Sequence, residues 1–245
     1  MLNKVNGAKS VFCQTSKIDG DYRLRQLEYL AGVNSTVAYY RENGCTFKVD
    51  VSNAYFSPRL STERKRIALL VRDNETIANL FGGVGTFSIL IARSNKTTRV
   101  YSVDSNLVAY NLCQANCSIN GVNDRVVPLF GDAAQITRSH LKEKCTRVLM
   151  PLPERAKDFV HDAVSCLANG KGTIHYFSHV GAHNKKDALE KGESDARDAF
   201  KSYKHIITFS RVVREVGPRF YQIVSDVQTQ GRPPNHVLSG AEAMV

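Results

Sequence analysis

From Arg64 to Val224 short apolar runs alternate with amphipathic stretches, and no other feature of this 245-residue chain limits its fold so tightly. "TIANLF", "RVYSVD", "RVVPLF", "RVLM" and "GTIHYFSHV" read as strands, being brief, mostly rich in β-branched residues and bounded by turn formers. Between them, "GTFSILIARS", "NLVAYNLCQANCSIN" closed by Asn120-Gly121, the short "GDAAQITRSHL", "PERAKDFVHDAVSCLANG" ending at Gly170, and the charged "NKKDALEKGESDARDAFKSY" read as helices. The strands "HIITFSRVVREV" and "FYQIVSDVQ" close the pattern. Alternation at this spacing predicts an α/β doubly wound sheet, parallel for most of its strands, with ligands at the strands' C-terminal ends.

The first sixty residues depart from this rhythm. "DYRLRQLEYLAG" reads as a helix and "STVAYYRENGCTFKVDV" as a hairpin turned at Asn43-Gly44, so a small α+β region is expected over 1–62, ahead of a main domain over 63–228. The turn-rich tail over 229–245 is expected to be flexible. The segment up to Asp73 holds twelve Lys/Arg against seven Asp/Glu, and the whole chain has a formal net charge of +10. A solvated basic surface is the plain reading, but polyanions are the first partners to consider, because clustered positive charge raises their local concentration.

Six cysteines, at 13, 45, 113, 117, 145 and 166, form no CxxC pair, so neither a metal site nor a redox site is signalled. Reduced cysteines and the absence of an apolar run of signal-peptide or membrane-spanning length give a cytoplasmic expectation, with no membrane and no stable protein partner.

Within the pattern, "NLFGGVGTFSIL" starts at Asn79 and follows the first strand of the main domain. It lacks the Gly-Lys-Ser/Thr that would place a lysine on a triphosphate, and it misses a dinucleotide fingerprint only at Ser88. Asp104 ends the next strand, where a carboxylate can accept both hydroxyls of a ribose, and Asp132 follows the third, placed for an adenine amino group. Each acid alone also reads as a helix N-cap. Together with the loop they resemble the class I methyltransferase site for S-adenosylmethionine, with Phe81, Gly83, Val84, Gly85, Asp104, Asn106, Asp132 and Ala133 as the cofactor-binding candidates. An NAD-dependent oxidoreductase is a rival, disfavoured by the imperfect third glycine and by the adenine acid.

"NAYFSPRLSTERKRIA", "NLFGGVGTFS", "RVLMPLPERAKDFVHDAV", "GTIHYFSHV" and "VREVGPRFYQIVSDV" closely resemble the archaeal and eukaryotic tRNA (guanine-N1)-methyltransferases that act at tRNA position 37. The likeness runs from about Tyr22 to Val227. It implies a Rossmann-like class I methyltransferase sheet with a C-terminal antiparallel hairpin, S-adenosylmethionine as cofactor and tRNA as partner. Guanine N1 is a weak nucleophile until its proton leaves, so the reaction needs a base at N1 and a positive group at O6. The family pattern implies Glu63 as the base and Arg23 as the O6 partner. It places Tyr55 and Arg59 around the target base and Pro151 and Pro153 beneath it, once the guanine has left the anticodon stack. For Glu63 and Arg23 an ordinary ion pair is the competing reading.

Three departures from the family stand out. Asn79 occupies the usual Asp position before the loop, and Pro151 the position of an Asn that would bond the guanine. Nothing before Tyr22 is long enough for the further small domain with which most members begin. Affinity is therefore expected from the basic surface. Two rivals share the fold: a wyosine-pathway relative that transfers an aminocarboxypropyl group or methylates a tricyclic guanine derivative, and a tRNA-binding protein with decayed catalysis. "MPLPE" resembles the methyltransferase version, and Glu63, Asp104 and Asp132 count against decay.

Overall fold

The computed structural model describes residues 7–17, 20 and 22–231. In chain order its elements are strands β1 (Ser10–Gln14), β2 (Leu27–Gly32), β3 (Val37–Glu42) and β4 (Cys45–Asp50), then helix α1 (Ser61–Leu70). The main domain continues with β5 (Thr76–Asn79), α2 (Thr86–Ser94), β6 (Arg99–Asp104), α3 (Leu107–Asn120), β7 (Val126–Phe130), α4 (Ala133–Ile136) and β8 (Arg147–Met150). It closes with α5 (Val160–Cys166), β9 (Lys171–Gly181), α6 (Lys185–Ala199), β10 (His205–Gly217) and β11 (Phe220–Gln230).

Seven strands form one sheet in the order β10-β11-β9-β8-β5-β6-β7. The five from β9 to β7 are parallel, and β11 runs antiparallel to both β9 and β10. This is the class I arrangement implied by the resemblance. The order reverses beside β5, since β6 lies on one side of it and β8 on the other, and a crevice at the C-terminal ends of the strands forms at such a switch point.

Side chains alternate across the sheet, so each strand feeds two cores. Ile77, Val100, Leu149, Phe177 and Val224 pack toward α1, α2 and α3. Ala78, Val148, Met150, Tyr176 and Val227 pack on the other side, with α5 and α6. Both layers are buried, which explains why the central strands read as nearly continuous apolar runs.

Before α1 the structure differs from the expectation. The helix expected over 21–32 is replaced by β2, which pairs antiparallel with β1 and sets Tyr29 against Phe12 at 5.8 Å between ring centroids. Leu24, Leu27 and Leu30 have helical spacing, but pairing with β1 overrides it. Asp21 lies outside the described residues.

The β3–β4 hairpin turns at Asn43-Gly44 as expected, and Cys45, Phe47 and Val49 of β4 enter the same core as α1, α2 and α3. Asn116 of α3 accepts from the Lys48 amide at 2.6 Å and donates to the Lys48 carbonyl at 3.0 Å. One turn later Asn120 bonds the Thr46 amide at 2.9 Å and carbonyl at 2.7 Å. Two asparagines at i, i+4 thus satisfy the free edge of β4 and fix the hairpin to the main sheet's helical layer.

Thr229 and Gln230 still belong to β11, and the rest of the expected tail, beyond Gly231, lies outside the described residues. Among the described residues no helix is long and apolar enough to cross a membrane.

Candidate active site

The turn between β5 and α2 is built by glycines. Gly83 and Gly85 hold φ of 55° and 88°, and a Cβ on Gly82 would lie 2.2 Å from the Ser102 hydroxyl. Only glycine fits this course without strain, and it brings backbone to the end of β6. There the Gly83 amide donates to Asp104 Oδ2 at 2.7 Å and the Asn106 amide to Oδ1 at 2.9 Å. Asn106, not Asp104, is the N-cap of α3, whereas Asp132 does cap α4 by accepting from the Gln135 amide. Burial pushes the Asp104 carboxyl up, against the two amides that favour its charge.

A cavity of about 240 Å³ opens above this loop, lined by Phe81, Gly83, Asp104, Asn106, Asp132 and Ala133, with Tyr22, Pro151 and Phe159 also in its wall. Val84 and Gly85 do not line it: Val84 is buried and its carbonyl accepts from Asn116, while Gly85 is the N-cap of α2. Asn79 is fully buried behind the loop, with its amide nitrogen on Ser88. An acceptor pair on a partly buried carboxylate, glycine backbone and a Phe81 wall suit a ribose and a flat base.

A second, larger cavity of about 1300 Å³ lies beside it, lined by Lys17, Arg25, Arg59, Pro153, Glu154, His179 and Arg214 among others. Arg23, Tyr55, Leu152 and Arg155 line both and form the wall between them. The Arg23 guanidinium stacks 4.2 Å above the Tyr55 ring, and its Nη2 lies 3.0 Å from Glu154 Oε1. Tyr55 accepts from Arg214 at 3.1 Å. His179 Nδ1 is 3.5 Å from Glu154 Oε1, and burial, with Arg23 and Arg214 nearby, pushes this imidazole down to about 4 although Glu154 acts the other way. His179 is therefore neutral near pH 7.

Glu63 lines neither cavity. Its side chain is 1% exposed on the first turn of α1, bonded to Arg66 at 2.8 Å, with Oε2 3.6 Å from Arg211 and without a hydrogen bond. Arg66 continues to Asp226 at 2.6 and 2.9 Å, Asp226 to His175 at 2.6 Å, His175 to Arg147 at 2.8 Å, and Arg147 to Glu75 at 2.7 Å. A chain of ion pairs and hydrogen bonds, with His175 as its one imidazole link, thus runs from α1 to β8. Paired burial of this kind is what lets α1 carry Glu63 and Arg64 inward. Arg64 itself is held by Glu42 at 2.7 Å and by the Ser57 carbonyl.

Glu154, His179, Arg155 and Arg214 are lining residues that sequence reasoning missed. The one signal for Glu154 was its place just after β8, where ligands gather in such sheets.

A family model described as the TRM5/TYW2 methyltransferase domain matches residues 38–204. The tRNA (guanine(37)-N(1))-methyltransferase Trm5b of Pyrococcus abyssi is 38% identical over 220 residues, covering 89% of this chain and 63% of that protein. A solved complex of aTrm5 and tRNALeu superposes with a TM-score of 0.79 at 31% identity, over 93% of this chain and 63% of that one. Methanocaldococcus jannaschii TYW2, solved in complex with AdoMet, superposes with a TM-score of 0.72 at 27% identity, over 84% of this chain and 90% of that one. The chain spans less than two thirds of the length of Trm5b and aTrm5. With the switch-point cavity, the sheet order and the matched domain in agreement, the chain belongs to the TRM5/TYW2 methyltransferase family.

Proposed function

We propose that this protein transfers a methyl group from S-adenosylmethionine to N1 of guanosine at position 37 of tRNA. The observation that carries the reading is the shared wall: a nucleoside-sized cavity and a larger, cation-lined cavity meet at Arg23 and Tyr55. The first suits the cofactor, whose sulfonium supplies an electrophilic methyl group when bound. Phe81, Gly83, Asp104, Asn106, Asp132 and Ala133 hold it, with Val84 and Gly85 shaping the loop behind. Asp104 accepts from the ribose hydroxyls, and Asp132 receives the adenine amino group.

The second cavity suits a flipped nucleotide and its flanking phosphates, with Lys17, Arg25 and Arg59 for the backbone. Here the basic region over 1–62 meets the tRNA. Tyr55, Pro151 and Pro153 frame the guanine, and Arg23 stabilises negative charge on O6 as the N1 proton leaves. Glu63 is the base implied by the family pattern. To take the proton it turns out of its cage with Arg66 and Arg211, toward the wall at Ser57, Pro58 and Arg59 that leads into α1.

The family also contains the TYW2 branch, so the test separates the group transferred. Cofactor labelled in the methyl carbon and, separately, in the methionine carboxyl carbon is incubated with an unmodified transcript and with a tRNA carrying 4-demethylwyosine at position 37. Methyl label alone, on the unmodified transcript, is expected. Carboxyl label on the tricyclic base would assign the chain to aminocarboxypropyl transfer instead.

A further inference from the structure

Glu154 is the one carboxylate lining the larger cavity among the described residues. It follows Pro153 on the loop after β8, its side chain is 43% exposed, and Arg23 and His179 both approach the same oxygen, Oε1. Each of these contacts is with Oε1, and Oε2 is the outer oxygen of the pair. Along this edge the order is therefore a donor, Arg23 Nη2, then an acceptor 3.0 Å away, then a second acceptor.

The Watson–Crick edge of guanine carries the complementary order: the O6 acceptor, the N1–H donor and the 2-amino donor. A guanidinium on O6 leaves a neighbouring carboxylate to face N1–H and the 2-amino group, since its two oxygens match a pair of parallel donors. Adenine presents a donor at position 6 and an acceptor at N1, so both contacts would turn repulsive. His179, neutral and largely buried behind Oε1, adds no competing positive charge.

Resting on the reading of guanosine as substrate, we propose that Glu154 is the specificity-determining residue that reads the 2-amino edge of the target guanine. The methyl group approaches N1 along the line the N1–H bond occupied, so the carboxylate must release N1 by then and keep its hold on the 2-amino group. An exposed loop side chain can make that shift, while Glu63 takes the N1 proton.

The test compares wild type with Glu154→Ala on two transcripts, one with guanosine at position 37 and one with inosine, which lacks only the 2-amino group. A hydrogen bond to a charged acceptor gives wild type a preference for guanosine of about ten- to hundredfold in kcat/KM. Glu154→Ala is expected to lower kcat/KM on guanosine far more than on inosine, so the ratio collapses toward one. Binding of S-adenosylhomocysteine and the melting temperature of the variant show that it folds. An unchanged ratio, an equal loss on both transcripts, or a wild type indifferent to the 2-amino group would overturn the assignment. A wild type that methylates neither transcript would instead remove the methyl-transfer reading beneath it.

Discussion

His175 is fully buried between two groups that fix its proton. Arg147 can only donate, so Nε2 accepts at 2.8 Å and Nδ1 donates to Asp226 at 2.6 Å. Protonating Nε2 would set two donors face to face, and burial likewise pushes this imidazole below its ordinary value. Burial would raise the Asp226 carboxyl, yet His175 and Arg66 together hold it well below the carboxylate range, so it stays charged as the histidine is challenged. An imidazole depressed by folding adds stability that is present above about pH 6.5 and lost as pH falls through the folded value, because the unfolded chain then binds a proton the native one refuses. Thermal melts between pH 7.5 and 5.5 should show wild type losing up to about 1.4 kcal/mol per pH unit at the acid end from this group. His175→Gln should start less stable and respond less to pH. Equal slopes in the two proteins would show that His175 titrates freely.

Among the elements, α3 does two tasks: its N-terminus follows Asp104, and its far end grips β4 through Asn116 and Asn120. Asn116→Ala leaves the Lys48 amide and carbonyl and the Val84 carbonyl short of partners. A loss of about 1–3 kcal/mol is expected in urea unfolding, with weaker S-adenosylhomocysteine binding because Val84 belongs to the glycine loop. An unchanged midpoint would mean that the hairpin docks without these bonds.

The sequence disclosed the elements whose signals are local. β6 falls on "RVYSVD", and α3 ends where Asn120-Gly121 said it would, because Gly121 adopts φ 63° and closes the helix. β2 was illegible, since its strand state depends on pairing with β1, upstream of it in the chain. The stretch expected as one helix from Pro153 to Gly170 breaks into tight turns on either side of the short α5. In the site, the loop glycines and Asp104 could be read from spacing. Glu154 and His179 could not, because their meeting joins the loop after β8 to β9, twenty-five residues apart in sequence.

For the whole molecule, the excess of positive charge has a location. Lys17, Arg25, Arg59 and Arg214 line the larger cavity, with Arg23 and Arg155 on its shared wall, against Glu154 as the acid. Part of the net charge of +10 is therefore clustered on one face, which is the condition under which it steers a polyanion. The smaller cavity adjoins this face through the shared wall of Arg23, Tyr55, Leu152 and Arg155. The direct measurement is methyl transfer to transcripts with guanosine or adenosine at position 37, read by nuclease digestion and mass spectrometry, beside Glu63→Gln. The expected result is 1-methylguanosine at position 37 only, none on the adenosine transcript, and a loss of about a hundredfold or more in Glu63→Gln. Absence of product, with S-adenosylhomocysteine and tRNA both bound, would contradict the claim.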